Sequence, residues 1–423
     1  MNPFSPGGSG KSRKGGTMKQ VLKCQSLFIP ETGTVEKDMS IVVDGNKIEK
    51  VVKTKDCHEE GAQVIDLGDR FVMPGMIDSH VHTVMNGGMH YEEIYGMTLG
   101  DLAFRSQTSA EADLMAGFTT LRDEGSIGFV DVALKRAINE GRVAGPRLFV
   151  SGIPVSATGG HFDTRFSPYV KSMWGLDSCT VDGTAECKKA VRYNFKYGAD
   201  QIKVMATGGV MSSGDSPEGT EFTEEEMRAV IETVKTHKRI SSAHAHGANG
   251  IKMAVRCGIT TIEHGMLMDE ECEDLMAEHG IYLNPTIIAG QSIIDIGTKG
   301  GLTEEMVEQS KQCLARYAGH LAACRKKGVK VVFGTDAGTP GNYHGKQAKE
   351  FQLMHDLGGF TPAELLLATT KVPAEMMGKT GEIGSMAKGA YADIIALKES
   401  PYDTLKAFQE VTFVMKDGKV YKK

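Results

Sequence analysis

The chain has 423 residues, of which 40% are hydrophobic and 24% are charged, and its formal net charge is −6. This composition is typical of a globular protein with a large core, built as one barrel-sized domain plus a smaller one or as two to three ordinary domains. An acidic balance disfavours nucleic-acid and anionic-membrane partners, because both select a basic face. No stretch approaches the roughly 18–20 apolar residues of a membrane span.

The N-terminal segment 1–18 is rich in Gly, Ser and Lys, and we interpret it as a flexible leader, with Met18 as a candidate natural start. Its GSGKS sequence does not complete a phosphate-binding loop, because Ser5 stands where that motif needs glycine and no strand precedes it. The eight cysteines are dispersed and form no CxxC pair. This pattern predicts free thiols in a reducing compartment, and therefore a cytoplasmic location.

Short β-type segments occupy both ends of the chain. Residues 40–53 contain a DG turn between alternating apolar and polar residues, and residues 411–422 contain a second one. Such turns are strong hairpin signals. We therefore predict that the two ends of the chain pair into one small sheet domain.

Between these ends, short apolar strands alternate with amphipathic helical segments. The predicted strands are 75–82, 117–123, 147–152, 200–207, 239–246, 258–264, 281–286 and 329–336. Eight strand–helix alternations over roughly 260 residues fit the count and length of an α/β fold of the (β/α)₈ barrel type. An open doubly wound sheet is the alternative, but it normally carries a Gly-rich nucleotide turn after its first strand, and GGMH after residue 86 is no such turn.

Side chains that can ionise or bind metal end most of these strands. They are His80 and His82, Arg122 and Asp123, His161 after the third strand, Lys203, His244 and His246, His264, and Asp336. Catalytic side chains of a barrel come from these strand ends, and the two-residue period turns both histidines of each pair to one face. Taken alone, each histidine is more often a core residue, Lys203 could snorkel, and Asp336 could cap a turn. Their common position favours one site.

Imidazole and carboxylate groups without thiolates suit zinc or another divalent metal in an open, catalytic site. A protonated lysine amine repels a cation. Lys203 could therefore join the site only after reaction with CO₂, which gives a carbamate able to bridge two metals. Two metals can hold a hydroxide between them, because metal binding lowers the pKa of water towards ~7. Asp336 could then take the proton of that hydroxide and pass it to the leaving group.

The motifs that carry these residues resemble those of the amidohydrolase superfamily, in particular its imidazolonepropionase-like and Xaa-Pro or Xaa-Arg/Lys dipeptidase-like members. They are MPGMIDSHVH (73–82), KVMATGGVMSSGDSP (203–217), AHAHG (243–247), IEHG (262–265), GTDAGTPGNYHG (334–345) and GEIGSMAKGAYADIIAL (381–397). The resemblance covers about residues 20–423. It implies a (β/α)₈ barrel over 73–384 and a small β-sandwich domain formed by 19–72 with 385–423.

By position, the resemblance also implies a ligand set for two divalent ions, most simply Zn²⁺. The set is His80, His82 and Asp336 for the more buried ion, His244 and His264 for the second, and carboxylated Lys203 as the bridge. In relatives the first histidine of the fifth-strand pair is the ligand, so His246 is expected to be a neighbour facing the same cavity. A bridging lysine favours hydrolysis of an amide over the mononuclear deaminase chemistry of the superfamily.

The segment ATGGHFD (157–163) resembles the family's TGGHGD loop, which implies that His161 reaches the substrate. His344 and Arg165 are further candidates for holding a substrate carboxylate, although each could instead pack its own loop. Relatives hydrolyse dipeptides with C-terminal Pro, Arg or Lys, N-acyl amino acids, and the aryl amide ochratoxin. The expected substrate is therefore a dipeptide or an N-acyl amino acid.

Two other functions remain open on sequence grounds. One is a cyclic-amide hydrolase or lactonase with the same metal centre, and the other is a non-catalytic assembly protein on the same fold. The resemblance further implies a homo-oligomer such as an octamer.

Overall fold

The structure, a computed structural model, describes residues 18–89, 91–163, 179–209 and 216–423, apart from the side chains of residues 91, 92 and 95. The predicted leader lies outside the described residues except for Met18. No helix in these ranges combines the length and the apolar character needed to cross a membrane. All eight cysteines are free, as predicted.

The strands of the described residues are, in chain order, β1 (Gln20–Ile29), β2 (Thr34–Asp44), β3 (Lys47–Lys53), β4 (Gln63–Asp66), β5 (Phe71–Pro74), β6 (Met76–Val81), β7 (Phe118–Asp123), β8 (Arg147–Val150), β9 (Val155–Ser156), β10 (Cys179–Thr180), β11 (Gln201–Met205), β12 (Ile240–Gly247), β13 (Thr261–Leu267), β14 (Tyr282–Asn284), β15 (Lys330–Val331), β16 (Ile394–Leu397), β17 (Val411–Lys416) and β18 (Lys419–Lys422). The α-helices are α1 (Leu99–Met115), α2 (Val130–Asn139), α3 (Gly183–Tyr197), α4 (Glu224–Thr236), α5 (Ala248–Cys257), α6 (Glu270–His279), α7 (Ile287–Ile296), α8 (Glu304–Lys327), α9 (Lys349–Gly358), α10 (Pro362–Ala368) and α11 (Lys371–Met376).

The two ends of the chain meet in one sheet with the strand order β18-β17-β16-β5-β1-β2-β3, and β4 also pairs with β1. The hairpins predicted from the DG turns are β2–β3 and β17–β18. β5 lies between β1 and β16, so the last strand before the central region is hydrogen-bonded to strands from both ends. The sandwich character of this unit and the domain boundaries stay predictions.

In the central region, parallel strands alternate with helices. β6, β7 and β8 form one parallel sheet, and β9 to β15 form a second one with the order β10-β9-β11-β12-β13-β14-β15. Each of the eight predicted strands has a counterpart among them. The first strand also bonds to the segment that follows the last one, because Ser79 N donates to Phe333 O at 2.9 Å and Asp336 N donates to His80 O at 2.7 Å. The carboxyl ends of the first and last strands therefore lie side by side.

Three helices begin at a capping box supplied by the sequence. Thr98, Thr223 and Thr361 each accept a hydrogen bond from the third residue of the following helix, and the acidic side chain of that third residue bonds back to the threonine amide. α3, α5, α6, α8 and α9 end at glycines in the left-handed region, which glycine adopts at little cost. Helix ends are thereby held in place, and with them the loops that follow the strands.

Gly75 joins the terminal sheet to the central region, and a substitution there can test how closely the chain packs at this junction. A Cβ atom at Gly75 would lie 2.0 Å from Oγ1 of Thr119. We therefore expect Gly75→Ala to lower the free energy of unfolding by about 1–3 kcal/mol, as overpacked cores usually do. The measurement is the midpoint of thermal unfolding.

Gly319 in α8 provides a matched control, because the same added Cβ would meet no heavy atom within 4 Å. Gly319→Ala should leave the midpoint unchanged or raise it slightly, since alanine is the better helix former. Equal midpoints for the two variants would contradict the close contact at Gly75.

Candidate metal centre

The polar residues predicted at the strand ends are brought together in one buried cluster. It contains His80 in β6, His82 just after it, Lys203 in β11, His244 and His246 in β12, His264 in β13, and Asp336 after β15. His264 and Asp336 have φ angles of 73° and 61°. Such values are uncommon outside glycine, and they mark a local departure from extended backbone within β13 and after β15.

His80, His82 and Asp336 form a group whose candidate ligand atoms all lie within 4.8 Å of one another. Oδ1 of Asp336 lies 3.4 Å from Nε2 of His80 and 3.3 Å from Nε2 of His82. The opposite ring nitrogens are already engaged, because Nδ1 of His80 lies 2.7 Å from Glu263 and Nδ1 of His82 lies 3.0 Å from the carbonyl of Gly125. Both Nε2 atoms therefore face the carboxylate.

Lys203 and three further imidazoles continue this group. Nζ of Lys203 lies 3.4 Å from Nε2 of His80. The ring centroid of His244 lies 4.7 Å from those of both His246 and His264, and the last two rings are stacked at 5.0 Å. The rings of His264 and His80 are 5.1 Å apart. The lysine and the histidines thus share one cavity.

The electrostatics of the cluster favour the neutral, metal-binding form of four of its five histidines. Burial lowers the pKa of the fifth, His82, but Asp336 raises it, and the net shift is upward. Burial lowers the pKa values of His80, His244 and His264 well below that of an ordinary imidazole. The charge of nearby Lys203 or of other histidines lowers them further. Burial also lowers the pKa of His246 to about 3. Burial alone would raise the pKa of Asp336, but the neighbouring histidines lower it, and the net shift is downward. Neutral imidazoles beside an ionised carboxylate fit a divalent cation.

A family model described as "Amidohydrolase family" matches residues 71–421. The chain belongs to the amidohydrolase family. Members of this family generally use divalent metals, which agrees with the donor set of the cluster.

This amidohydrolase is similar to several named enzymes over most of its length. The ochratoxinase of Aspergillus niger is 34% identical over 423 residues, covering 94% of this chain and 85% of that protein. The solved structure of a Xaa-Pro dipeptidase with methionine bound in the active site has a TM-score of 0.89 and 33% identity, covering 96% of this chain and 100% of that one. An imidazolonepropionase of Brevibacillus brevis is 24% identical, covering 92% of this chain and 93% of that protein.

These relatives support a TIM-barrel-like α/β fold and a hydrolase that acts on amide C–N bonds. The predicted superfamily is thereby confirmed, and the enzyme assignment replaces the non-catalytic alternative.

Glu263 orients His80 in this amidohydrolase, and sequence reasoning missed it. Its Oε2 contacts Nδ1 of His80, and its Oε1 accepts from Nη2 of Arg122 at 2.6 Å. Asp78 lies in the same strand as His80, and the alternation of side chains along a strand predicts that it orients this imidazole from the same face. That prediction is wrong, because Asp78 accepts from the backbone N–H of His80 and from Thr335. A signal for Glu263 was present in IEHG, where it directly precedes a predicted ligand.

A second missed carboxylate, Glu124, lies on the other side of Arg122. Its Oε1 lies 2.8 Å from Nε of Arg122 and accepts from Gln201 at 2.7 Å. Its Oε2 accepts from the hydroxyl of Ser242 and lies 3.5 Å from Nζ of Lys203. Glu124 directly follows the Arg122-Asp123 pair at the end of the second predicted strand, but its role depends on partners from two other strands.

The predicted substrate contacts His161 and His344 lie in different surroundings. The ring of His161 is stacked on that of His244 with centroids 4.2 Å apart, so it lies beside the cluster. Nδ1 of His344 lies 2.8 Å from Asp113, and its Nε2 is within 3.2 Å of the carbonyl oxygens of His82 and Met85. Both ring nitrogens of His344 are therefore occupied. In this structure His344 ties two loops to α1, and its role as a substrate contact stays a prediction.

Arg165 and residues 210–215 of the KVMATGG motif lie outside the described residues. The expected role of Arg165 therefore stays a prediction.

Arg122 allows a direct test of this buried ionic group. Its side chain is fully buried and also donates to Ser79 O and to the hydroxyl of Thr261. Arg122→Met would remove the guanidinium that pairs with both Glu124 and Glu263, and breaking a buried pair this way costs about 3–5 kcal/mol. We expect a correspondingly large fall in the thermal midpoint.

Arg142→Met is the control, because Arg142 pairs with Glu140 at the surface and is largely exposed. Its midpoint should stay close to that of the wild type. If the two arginine variants melted together, Arg122 would not hold the two carboxylates in place.

Proposed function

We propose that this protein is a binuclear metal-dependent amidohydrolase that cleaves the amide bond of a dipeptide or an N-acyl amino acid, with aryl amides such as ochratoxin within its range. The observation that carries the proposal is the buried convergence of Lys203, Asp336 and the histidines from separate strands. A lone buried histidine is readily explained by core hydrogen bonding, but this combination of groups from separate strand ends is not.

The proposed centre holds two divalent ions, most simply Zn²⁺, on six side chains. These are His80, His82 and Asp336 at the first position, His244 and His264 at the second, and Lys203 as a CO₂-derived carbamate between them. When bound, such ions supply an activated water and polarise the scissile carbonyl. We infer that the eight strands close into a (β/α)₈ barrel at the hydrogen bonds between β6 and residues 333–337, which keeps these ligands at one end.

The side chains around the centre have separate tasks in this proposal. Asp336 is ionised and moves a proton from the attacking water to the leaving nitrogen. Glu263 accepts a hydrogen bond from Nδ1–H of His80, and Nε2 of that ring therefore faces the cluster. The buried position of the cluster excludes bulk water and strengthens each of these interactions.

The substrate would approach the cluster past His161 and His246. His161 stacks on His244, and Nδ1 of His246 is buried without a hydrogen-bond partner among the described residues. A buried donor or acceptor of this kind is expected to find a partner in the functional complex. The relatives named as ochratoxinase and Xaa-Pro dipeptidase support an amide substrate for this centre. The homo-oligomeric state, the absence of nucleic-acid and membrane partners, and the cytoplasmic location stay predictions.

A substrate panel tests the proposed specificity. It comprises Xaa-Pro and Xaa-Arg dipeptides, N-acyl amino acids and ochratoxin, each compared with the same compound whose carboxylate is amidated. A charge-assisted hydrogen bond to the free carboxylate contributes about 1.5–3 kcal/mol. We therefore expect kcat/KM to be about 10- to 100-fold higher for the free acids. Faster hydrolysis of hydantoins or lactones in the same panel would favour the alternative substrate class.

Lys203 is the residue that distinguishes a binuclear centre from a single-metal one. Lys203→Ala should lower the divalent metal content from about two ions per chain to one or fewer, and kcat by more than about 100-fold, because the bridging ligand is lost. Metal per chain is measured by elemental analysis, and activity on the best amide of the panel. Lys299→Ala, at an exposed position, is the control and should retain both properties. Wild-type protein that neither contains metal nor gains activity with zinc and bicarbonate would contradict the proposal.

A further inference from the structure

Thr286 makes an unusual connection between β14 and α7. Its φ and ψ angles are both 44°, so this β-branched residue occupies the left-handed region, where it is strained. Its Oγ1 lies 2.6 Å from Nδ1 of His264, and both side chains are buried. The contact leaves Nε2 of His264 as the ring nitrogen available to the metal cluster.

Four other threonines at helix starts behave differently, whereas Thr370 before α11 also leaves its helix uncapped. Thr98, Thr223, Thr303 and Thr361 each use their hydroxyl oxygen to accept a hydrogen bond from their own helix. Thr286 also stands immediately before a helix, but its side chain caps none of the amides of α7. The hydroxyl that would normally cap the helix is instead committed to His264.

Glu350 supplies the missing cap from α9. Its Oε1 accepts from the N–H of Ile287 at 2.9 Å, and its Oε2 accepts from the N–H of Ile288 at 2.6 Å. Its side chain is fully buried. Without this carboxylate, two buried amides would lack an acceptor, at a cost of about 1–3 kcal/mol each. The hydroxyl of Thr286 is the nearest group in sequence that could turn back to satisfy one of them.

We propose that Glu350 is a positioning residue for His264. By capping α7 from outside, it frees the hydroxyl of Thr286 to hold the imidazole, and so it sets the affinity of the second metal position. The metal part of this inference rests on the proposed function, whereas the cap itself does not.

The first experiment challenges the zinc-loaded, full-length protein with increasing concentrations of a chelator and measures zinc per chain. Glu350→Gln and Thr286→Val should each release one of the two zinc ions at about 10- to 100-fold lower chelator concentration, with the other ion retained as in the wild type. Valine keeps the β-branched shape of threonine and replaces only its hydroxyl by a methyl group. Thr286→Ser, which keeps the hydroxyl, should restore wild-type release. Glu375→Gln is the surface control, because Glu375 is exposed and pairs with Lys330.

The second experiment measures amide hydrogen exchange in the peptide that contains Ile287 and Ile288. Glu350→Gln should accelerate exchange there, because the amide side chain has only one acceptor oxygen for two donors. Thr286→Val should not accelerate it, since Glu350 is intact. This readout does not require metal.

The outcomes separate the two claims. Unchanged exchange in Glu350→Gln would overturn the cap, and accelerated exchange with wild-type zinc retention would overturn its link to His264. Loss of both ions together in Glu350→Gln would likewise overturn a role confined to the second position. A wild-type chain that holds no zinc would overturn the proposed function and the metal role of Glu350, while exchange would still decide the cap.

Discussion

The pairing of Arg122 with Glu124 and Glu263 is the interaction on which the rest of the site depends. Carboxylates buried at the strand ends would be costly to desolvate without a cation, and the Arg122 guanidinium serves two of them at once. The same group binds Ser79 O and Thr261, so it joins β6, β7 and β13. Since Glu263 also holds His80, the orientation of the first imidazole depends on a charge balance built across three strands.

Backbone strain is also present at this site. His264 within β13, Thr286 after β14 and Asp336 after β15 all have positive φ angles. Left-handed conformations of non-glycine residues cost energy and persist only where the surroundings over-determine them. Here the hydrogen bond between Thr286 and His264, the bond from Asp336 N to His80 O, and the cap by Glu350 supply that support. The buried polar contacts therefore stabilise the strained backbone.

The sequence predicted the parts of this structure that follow from local pattern. The DG turns predicted both hairpins, and alternation of strands and helices predicted all eight central strands, because periodicity and turn chemistry are local properties. The cluster residues were found because they recur at strand ends. Glu263, Glu124 and Glu350 were missed, since most of their partners lie far away in sequence; only the pairing of Glu124 with Arg122 is local. Asp78 shows the opposite error, because it shares a strand with His80 yet bonds to the backbone and to Thr335.

Gly160 and Gly209 lie beside His161, where close packing leaves no room for a side chain. Their spacing in the sequence does not reveal this. A Cβ at Gly160 would lie 2.1 Å from Oε2 of Glu221, and a Cβ at Gly209 would lie 2.1 Å from the ring of His161. Glu221 accepts from the N–H of His161 and from the hydroxyl of Ser156, and these hydrogen bonds hold the loop that carries His161. Removing either glycine would push His161 from its place against His244. Close packing around these glycines therefore places the imidazole of His161 beside the cluster.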